Sequence, residues 1–199
     1  MLLGRVKKVI SGLVALSMLT TFAVPSGMAK AADSSELKNP VVSKTETTWD
    51  RVVFGSYYSE VQEKDVPITW RVLNVSGNDA FLISDEILAM KNYNDEAKAV
   101  TWADSSLRSW LNDDFFNYAF TEEERAAVIQ TEIQNNNFDL TQTDYEMTND
   151  YVYLPSYQEM QLKSYGFSNN ILDHESRLAY TNTYLEASNI DDTDDPADD

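Results

Sequence analysis

Carboxylates are the most abundant side chains in this sequence that could do chemistry. Two of them facing each other across a cleft could hydrolyse a glycosidic bond by general acid and base catalysis. The densest candidates are Asp113, Asp114 and the run Glu122–Glu124. Each also suits the start of a helix, where carboxylates cap backbone N–H groups and favour the helix dipole. The sequence therefore favours capping and solvated carboxylates, and we assign no catalytic residue.

Other catalytic chemistry has little support in the sequence. His174 is the only histidine, and alone it could act as a general base but could not supply paired zinc ligands. There is no cysteine, no Gly-x-Ser-x-Gly, no phosphate-binding glycine loop and no His-Glu-x-x-His. We predict a protein that is not an enzyme and has no cofactor. A secreted carboxylate-dependent hydrolase stays open as the alternative.

Oxygen ligands suitable for calcium occur in one polar stretch. Asp139, Asp144 and Asp150 lie with Asn135–Asn137 between Gln134 and Asp150, which we predict to be a long loop. The acidic run Asp191–Asp199 lacks the glycine and the spaced glutamate of an EF-hand loop. We interpret both groups as solvated acid and predict no metal site.

Aromatic residues make up 12% of the chain and are the remaining signal for ligand binding. Exposed tyrosine and tryptophan rings stack on sugar faces and favour protein ligands as well. Five tyrosines in or near predicted turns and loops are the candidate ligand-binding residues: Tyr57, Tyr58, Tyr93, Tyr145 and Tyr157. A second group is better explained as core: Trp49, Trp70, Trp102, Trp110, Phe115 and Phe120.

The charge of the chain excludes several kinds of partner. The formal net charge is −18, and residues 1–31 hold four basic residues and no acid, so the other 168 residues carry −22. Such a surface repels phosphate backbones and anionic lipid. We therefore expect no nucleic-acid partner and no membrane partner for the folded part. The sequence does not indicate an oligomeric state.

The first 31 residues have the pattern of a secretory signal peptide. A basic segment over residues 1–8 precedes an apolar run from Val9 to Val24, and Ala29-Lys30-Ala31 has the small-x-small form of a cleavage site. The apolar run is shorter than the roughly 20 residues that span a bilayer. We predict cleavage near Ala31 and a secreted or cell-surface protein, with an uncleaved anchor as the alternative.

The mature chain must supply elements that position these side chains. A polar linker over 32–48, with a short strand at Val41-Val42, precedes a globular domain over 49–188 and a disordered acidic tail over 189–199. Within the domain, Trp49–Phe54 predicts a strand that ends in a turn at Gly55-Ser56. The segment 68–83 predicts a hairpin around Ser76–Asp79.

Three short helices and one more strand complete the prediction. Asp104 is expected to cap one helix, and Asn112–Asp114 to cap a turn leading into Phe115. Thr121 and Glu124 form a capping box before a helix in which Ala126, Ile129 and Ile133 share a face. A strand at Tyr151–Leu154 then leads into a second capping box at Ser156–Glu159, whose helix ends at Gly166.

Several motifs together resemble one bacterial family. They are Trp49–Tyr57, Pro67–Leu73, Asn78–Leu82, Leu107–Asn112, Phe116, Ala119–Thr121 with Glu124, and Val152–Ser156. Their order and spacing over most of 49–185 resemble the exported family catalogued as domain of unknown function 6273. The resemblance implies a secreted or surface-attached protein of a Gram-positive bacterium. It transfers no catalytic residue, because no activity is established for the family.

A fold-level resemblance extends this reasoning. The segment Tyr151–Glu159 is similar to an element of bacterial C-type-lectin-like domains, which implies an α+β fold with a mixed or antiparallel sheet and about three short helices. The Trp-Trp-Leu-Arg-Ser-like and Gly-Val-Arg-Pro-like closing motifs of the family are missing here, so an incomplete domain stays open.

The function that these observations favour is a non-catalytic extracellular binding or adhesion module. Its ligand would be a glycan or a surface protein. A hydrolase and a purely structural module of a surface protein are the alternatives.

Overall fold

The computed structural model describes residues 3–7, 37–43, 46–59, 62–135, 146–167 and 175–181. These residues form strands that we number in chain order: β1 (Leu3–Lys7), β2 (Val41–Val42), β3 (Thr47–Thr48), β4 (Arg51–Ser59), β5 (Lys64–Ser76), β6 (Asp79–Ser84), β7 (Glu86–Ile87), β8 (Val128–Ile129), β9 (Thr131–Asn135), β10 (Glu146–Asp150) and β11 (Tyr180–Thr181).

The centre of the fold is a five-stranded antiparallel sheet in the order β4-β5-β6-β1-β8. The short pairs β9–β10 and β2–β3 are antiparallel, whereas β7 and β11 pair in parallel. The sheet-rich arrangement with few short helices confirms the predicted α+β class.

The hairpin predicted from residues 68–83 is confirmed as β5 and β6. Ser76 pairs with Asp79, which leaves Gly77-Asn78 as a two-residue turn. Gly77 has a φ of 57°, a left-handed conformation that glycine adopts without steric cost.

The turn predicted at Gly55-Ser56 is wrong, because β4 runs through both residues. A bulge lies between Val53 and Ser56, and it lets the strand bend while it stays paired with β5. Gly55 has a φ of 73°, and a Cβ at this position would lie 2.6 Å from the Phe120 ring. Glycine is therefore required both by the backbone conformation and by the close packing of Phe120.

The first helical section is continuous, whereas the sequence predicts two capped pieces. Helix α1 (Ser106–Trp110) passes through a π-helical turn (Leu111–Phe115) into α2 (Phe116–Ala119). Ser105 caps it by accepting from the Arg108 N–H at 3.1 Å, so the prediction of Asp104 as cap is wrong. The predicted cap at Asn112–Asp114 is wrong as well, because those residues lie inside the helix.

The capping box at Thr121 and Glu124 is confirmed. Thr121 Oγ1 accepts from the Glu124 N–H at 3.2 Å, and Glu124 Oε2 accepts from the Thr121 N–H at 2.9 Å. Glu124 Oε1 also accepts from the Gly55 N–H at 3.0 Å, which ties the helix to the β4 bulge. Helix α3 (Glu122–Ala127) is short, and β8 and β9 replace its predicted continuation through Ile129 and Ile133.

The segment from 146 to 167 is less regular than predicted. Glu146–Asp150 is a strand rather than loop, and the predicted strand at Tyr151–Leu154 is reduced to a single bridge between Tyr153 and Leu3. The second capping box is confirmed, since Ser156 Oγ and Glu159 Oε2 accept from each other's backbone N–H. Two 3₁₀ turns follow, Glu159–Gln161 and Lys163–Tyr165, and Gly166 ends them with a φ of 84°.

Both faces of the central sheet are covered. One face packs against the helices through a cluster that includes Val72, Leu82, Phe115 and Phe120. The other face carries a smaller cluster of six buried residues: Leu3, Leu73, Phe81, Ile83, Tyr153 and Phe167. Trp102 packs against both clusters. Alternation along β5 and β6 places neighbouring residues on opposite faces.

A buried arginine attaches the 175–181 segment to the sheet. The Arg71 guanidinium contacts the Asp85 carboxylate, and it donates to the Leu178 carbonyl at 2.8 Å and the Ser176 carbonyl at 3.2 Å. Arg51 Nε donates to Asp85 at 2.7 Å. Burial raises the pKa of the Asp85 carboxyl, but the hydrogen bonds from Arg51 and Arg71 lower it by more, so its net pKa is below the ordinary value.

Parts of the predicted domain plan can be placed on the structure. Strand β1 falls inside the stretch 1–31 that we predict to be a signal peptide. Leu37, in the predicted linker, is buried, and Asn39 Oδ1 accepts from the Val75 N–H at 2.6 Å. Residues 8–31 and the acidic tail 189–199 lie outside the described residues.

We predict that Gly55→Ala destabilises the fold more than Gly77→Ala. Both replacements add a side chain where φ is positive, which costs about 1–2 kcal/mol. Gly77 has open space around it, but at Gly55 the new methyl meets Phe120 and the Ala119 carbonyl, which adds about 1–3 kcal/mol. Denaturant unfolding measures both, and equal losses would contradict the packing argument.

The Asp85 contacts predict a specific loss of stability in acid. Because the folded pKa is below the unfolded value of about 3.9, the stabilisation is complete above about pH 5 and is lost as the pH falls through the unfolded and then the folded pKa. The difference in free energy of unfolding between the wild type and Asp85→Asn should shrink from pH 7 to pH 3. The exposed Asp104→Asn serves as the control. A difference that stays constant with pH would contradict this assignment.

Candidate functional site

On the face of the sheet opposite the helices, a cleft of about 620 Å³ lies between the sheet, strand β9, the loop before α1 and the segment from Tyr153 to Tyr165. Volumes of roughly 300–1,000 Å³ are typical of small-ligand sites. We call this feature the aromatic cleft, because five rings line it: Phe81, Tyr93, Trp102, Tyr153 and Tyr165.

One ring of the aromatic cleft, that of Trp102, is held by a fully buried carboxylate. Asp150, with 0% of its surface exposed, accepts from Arg108 Nε at 2.7 Å and from Trp102 Nε1 at 2.8 Å. Thr148 Oγ1 donates to the same carboxylate at 2.9 Å. A buried charge is tolerated when it is paired and hydrogen-bonded in this way. These contacts fix the Trp102 ring relative to α1 and β10.

Asn112 extends this connection from the helix to the strand bridge. Its Oδ1 accepts from the Tyr151 N–H at 2.6 Å, and its Nδ2 donates to the Val152 carbonyl at 3.0 Å. The next residue, Tyr153, exchanges backbone hydrogen bonds with Leu3 at 2.8 and 3.2 Å. Asn112, through Tyr151 and Val152, and Leu3, through its backbone, therefore set the position of Tyr153 in the cleft.

The inner rings of the cleft form a packed aromatic wall. Phe81 stacks on Tyr153 with centroids 6.3 Å apart, and Tyr165 lies 5.3 Å from Phe81. Burial, with a smaller contribution from the Glu159 carboxylate, raises the pKa of both the Tyr153 and the Tyr165 hydroxyls. Both phenols are therefore neutral at physiological pH, and they present polar tips on an apolar surface.

The rim is formed by Tyr93 and Trp102. Their ring centroids are 6.4 Å apart, and 44% of the Tyr93 surface is exposed. The Tyr93 carbonyl accepts from the Leu107 N–H at 3.3 Å, and Asn94 Oδ1 accepts from the Ser106 N–H at 3.2 Å. The first turn of α1 therefore holds the loop that carries Tyr93.

Charged groups in the cleft are mainly acidic. Asp79 and Glu132 lie at its border, and Glu159 lies in the wall with its carboxylate in the Ser156 capping box. Arg5 is the one basic residue among those that line the cleft, and it lies 3.7 Å from Asp79. This balance disfavours phosphate and other anionic ligands.

The structure brings one of the five predicted tyrosines into the cleft, namely Tyr93. Tyr57 is half-buried on β4 and packs against Phe115 at 5.1 Å and Trp110 at 6.4 Å. Tyr58, on the same strand, is 44% exposed and does not line the cleft, nor does Tyr157 at 46% exposed. Tyr145 lies outside the described residues.

The predicted carboxylate candidates do not come together. Asp113 and Asp114 are exposed on the π-helical turn, and Glu124 is occupied by its capping box. Asp150 is not a loop ligand, because it ends β10 and is buried against Arg108. His174, Asp139 and Asp144 lie outside the described residues. Among the described residues, no group of three or more acidic or histidine side chains is placed to hold a metal ion.

Sequence reasoning misses four of the five rings of the cleft, namely Phe81, Trp102, Tyr153 and Tyr165, and it misses the role of Asp150 in holding Trp102. Trp102 is predicted as core, and it does contact both clusters, but its ring also borders the cleft. No spacing signal links Trp102 to Asp150, 48 residues away. Strand β10 has no apolar alternation in its sequence, because its two buried residues, Thr148 and Asp150, are both polar.

Comparison with known sequences gives a family. The sequence profile described as Domain of unknown function (DUF6273) matches residues 77–196, which is more than half of the chain. The chain belongs to this family. The match includes the residues of the aromatic cleft except Arg5, Asn74 and Ser76. No curated protein and no solved structure matches this DUF6273 protein. Across the portion of the chain with described coordinates, none of the helices has the length and apolar character to cross a bilayer.

We predict that Asp150→Ala destabilises this DUF6273 protein by about 3–5 kcal/mol, because Arg108 loses its buried partner and Trp102 its acceptor. Asp114→Ala, an exposed aspartate on the neighbouring helix, should stay within about 0.5 kcal/mol of the wild type. Thermal unfolding followed by near-UV circular dichroism measures both. Similar effects of the two variants would show that the Asp150 contacts are not a main source of stability.

Proposed function

We propose that this DUF6273 protein is an exported, non-catalytic binding module whose aromatic cleft holds a neutral glycan. The observation that carries the proposal is the exposed Tyr93 ring beside the fixed Trp102 ring, at the rim of a cleft of ligand size. Export rests on the basic and apolar pattern of residues 1–31.

The two rim rings suit the apolar faces of pyranose sugars. Stacking of this kind is favourable when the ring is already held in its bound orientation, since little side-chain entropy is then lost. Trp102 meets this condition through its hydrogen bond to Asp150, and the loop carrying Tyr93 is held by α1. The rim is therefore preorganised by contacts that exist without ligand.

Polar groups around the rings suit sugar hydroxyls, which both donate and accept hydrogen bonds. The lining includes the amide-bearing residues Asn74, Gln134 and Asn135 and the hydroxyl-bearing Thr131. The Asn135 amide also bonds the Thr148 hydroxyl, and Thr131 Oγ1 donates to the Ile129 carbonyl. The acidic balance of the cleft supports a neutral glycan over a phosphorylated or sulfated one.

The arrangement of acids supports binding over hydrolysis. A hydrolase needs two carboxylates facing the same bond. In the cleft, the Glu159 carboxylate is engaged in its capping box with Ser156, which leaves Asp79 and Glu132 as the other lining acids. The engagement of Glu159 is the contact that supports binding over hydrolysis. A preorganised cleft also supports a binding module over a purely structural one. A surface protein is the alternative ligand for the same rim.

A C-type-lectin-like topology is part of the same proposal. Its support is the order of a β-bridge at Tyr153, a capping box at Ser156–Glu159 and two 3₁₀ turns, which is the order of strand, cap and helix in the similar element. That support concerns one segment, and ligand binding is argued from the cleft rather than from the fold.

We predict that Tyr93→Ala weakens binding to the best ligand of a neutral glycan array by about threefold to tenfold, as loss of one stacking ring implies. Tyr58→Ala is the matched control, because Tyr58 has the same exposed fraction of 44% but lies outside the cleft. Its affinity should equal that of the wild type.

Three outcomes would contradict the proposal. One is an array on which the chain binds no neutral glycan, and another is equal loss of affinity in both tyrosine variants. The third is release of reducing sugar by the purified chain that disappears in Glu132→Gln, which would favour the hydrolase.

A further inference from the structure

Strand β1 is a central strand of the sheet although it lies close to the start of the chain. It pairs with β6 over five residues, from Leu3 opposite Ile83 to Lys7 opposite Asp79. Its other edge pairs with β8, where Arg5 and Val6 lie opposite Ile129 and Val128. Both edges of β1 are thus used in backbone pairing.

The side chains of β1 fill both sides of the sheet. Leu3 is 0% exposed in the cluster with Phe81 and Tyr153, and Val6 is 9% exposed in the cluster on the helix side. A Cβ on Gly4 would already lie 3.4 Å from the Tyr151 carbonyl oxygen, so a small residue fits here. Arg5 points to the cleft side and lies near Asp79.

These residues also form the basic start of the predicted signal peptide. Cleavage near Ala31 would remove β1 from the sheet and leave facing edges of β6 and β8 without a partner. Unpaired N–H and C=O groups along two facing edges, with an apolar space between them, form a template for another strand.

We propose that the channel between β6 and β8, which Leu3–Lys7 fills here, is a strand-acceptor site, and that the exported chain binds there an extended segment of a partner protein. The sequence of β1 shows what the channel accepts. The partner segment has the pattern aliphatic, small, basic, aliphatic, because these are the properties of Leu3, Gly4, Arg5 and Val6. The basic residue matches Asp79 and the acidic charge of the chain.

The test uses the chain recovered from the medium of an exporting Gram-positive host, with its N-terminus determined by mass spectrometry. A fluorescent peptide with the sequence of residues 1–8 is titrated and followed by anisotropy, and near-UV circular dichroism records gain of tertiary structure. We expect saturable binding. A peptide carrying Leu3→Asp should bind at least about tenfold more weakly, because it places a charge in a fully buried site.

The register of the bound peptide is tested by disulfide cross-linking. Because the chain has no cysteine of its own, each introduced cysteine is the single reactive thiol of its molecule. A peptide with Arg5→Cys should form a disulfide with a chain carrying Ile129→Cys, its partner across the ladder. A peptide with Lys7→Cys, two positions out of register, is the control and should cross-link far less.

The following results would overturn the proposal. One is an exported chain that keeps residues 1–8, because its own strand then fills the channel. A second is a processed chain that neither binds the peptide nor gains tertiary structure when the peptide is added, which would show that it has no acceptor site. Another is a processed chain that forms a stable dimer and does not bind the peptide, because its channel would then hold a second copy of the chain. Equal cross-linking at both peptide positions would show that binding lacks the β1 register.

Discussion

The Asp150 carboxylate accepts hydrogen bonds from Arg108, Trp102 and Thr148, and the orientation of the Trp102 ring in the cleft depends on these contacts. A fully buried negative charge is costly unless it is paired and its oxygens are hydrogen-bonded, so the three donors are required together. Their positions link helix α1, the loop before it and strand β10. Asn112 then carries the connection from the helix to Tyr151 and Val152. These polar contacts therefore position the Trp102 ring and the chain segment that leads into Tyr153.

The sheet adds a second constraint, because both of its faces are buried and its order places β1 between β6 and β8. One face supplies the hydrophobic core with the helices, and the other supplies the inner wall of the cleft through Phe81 and Tyr153. Arg71 attaches the 175–181 segment at the far side of this sheet through Asp85 and two carbonyls. The cleft is lined mainly by aromatic rings and by polar and acidic residues, with Arg5 as the basic residue among them.

Local signals in the sequence predicted local structure well. The alternation over 68–83 and the turn at Gly77 gave the β5–β6 hairpin, and both capping boxes formed because each needs contacts within four residues. The cap predicted at Asp104 was wrong by one residue, because the Ser105 hydroxyl accepts from the Arg108 N–H. Other predictions were wrong where distant contacts decide. The Gly55 turn became a bulge because Phe120 packs against it, and the helix expected through Ile129 gave way to pairing of β8 with β1. The cleft joins Tyr93 and Trp102 to Tyr153 and Tyr165, and no periodic pattern spans such separations. Of the predicted tyrosines, Tyr93 lines the cleft.

The indole N–H signals of the four tryptophans in an ¹H–¹⁵N NMR spectrum test the central claim most directly. Trp102 Nε1 lies beside the cleft on Asp150, whereas Trp70 Nε1 donates to the Phe54 carbonyl in the core at 2.7 Å. Titration with the best neutral oligosaccharide from an array should shift the Trp102 signal in a saturable way and leave the Trp70 signal in place. A ligand that binds while the Trp102 signal stays unchanged would contradict the assignment of the aromatic cleft as the binding site.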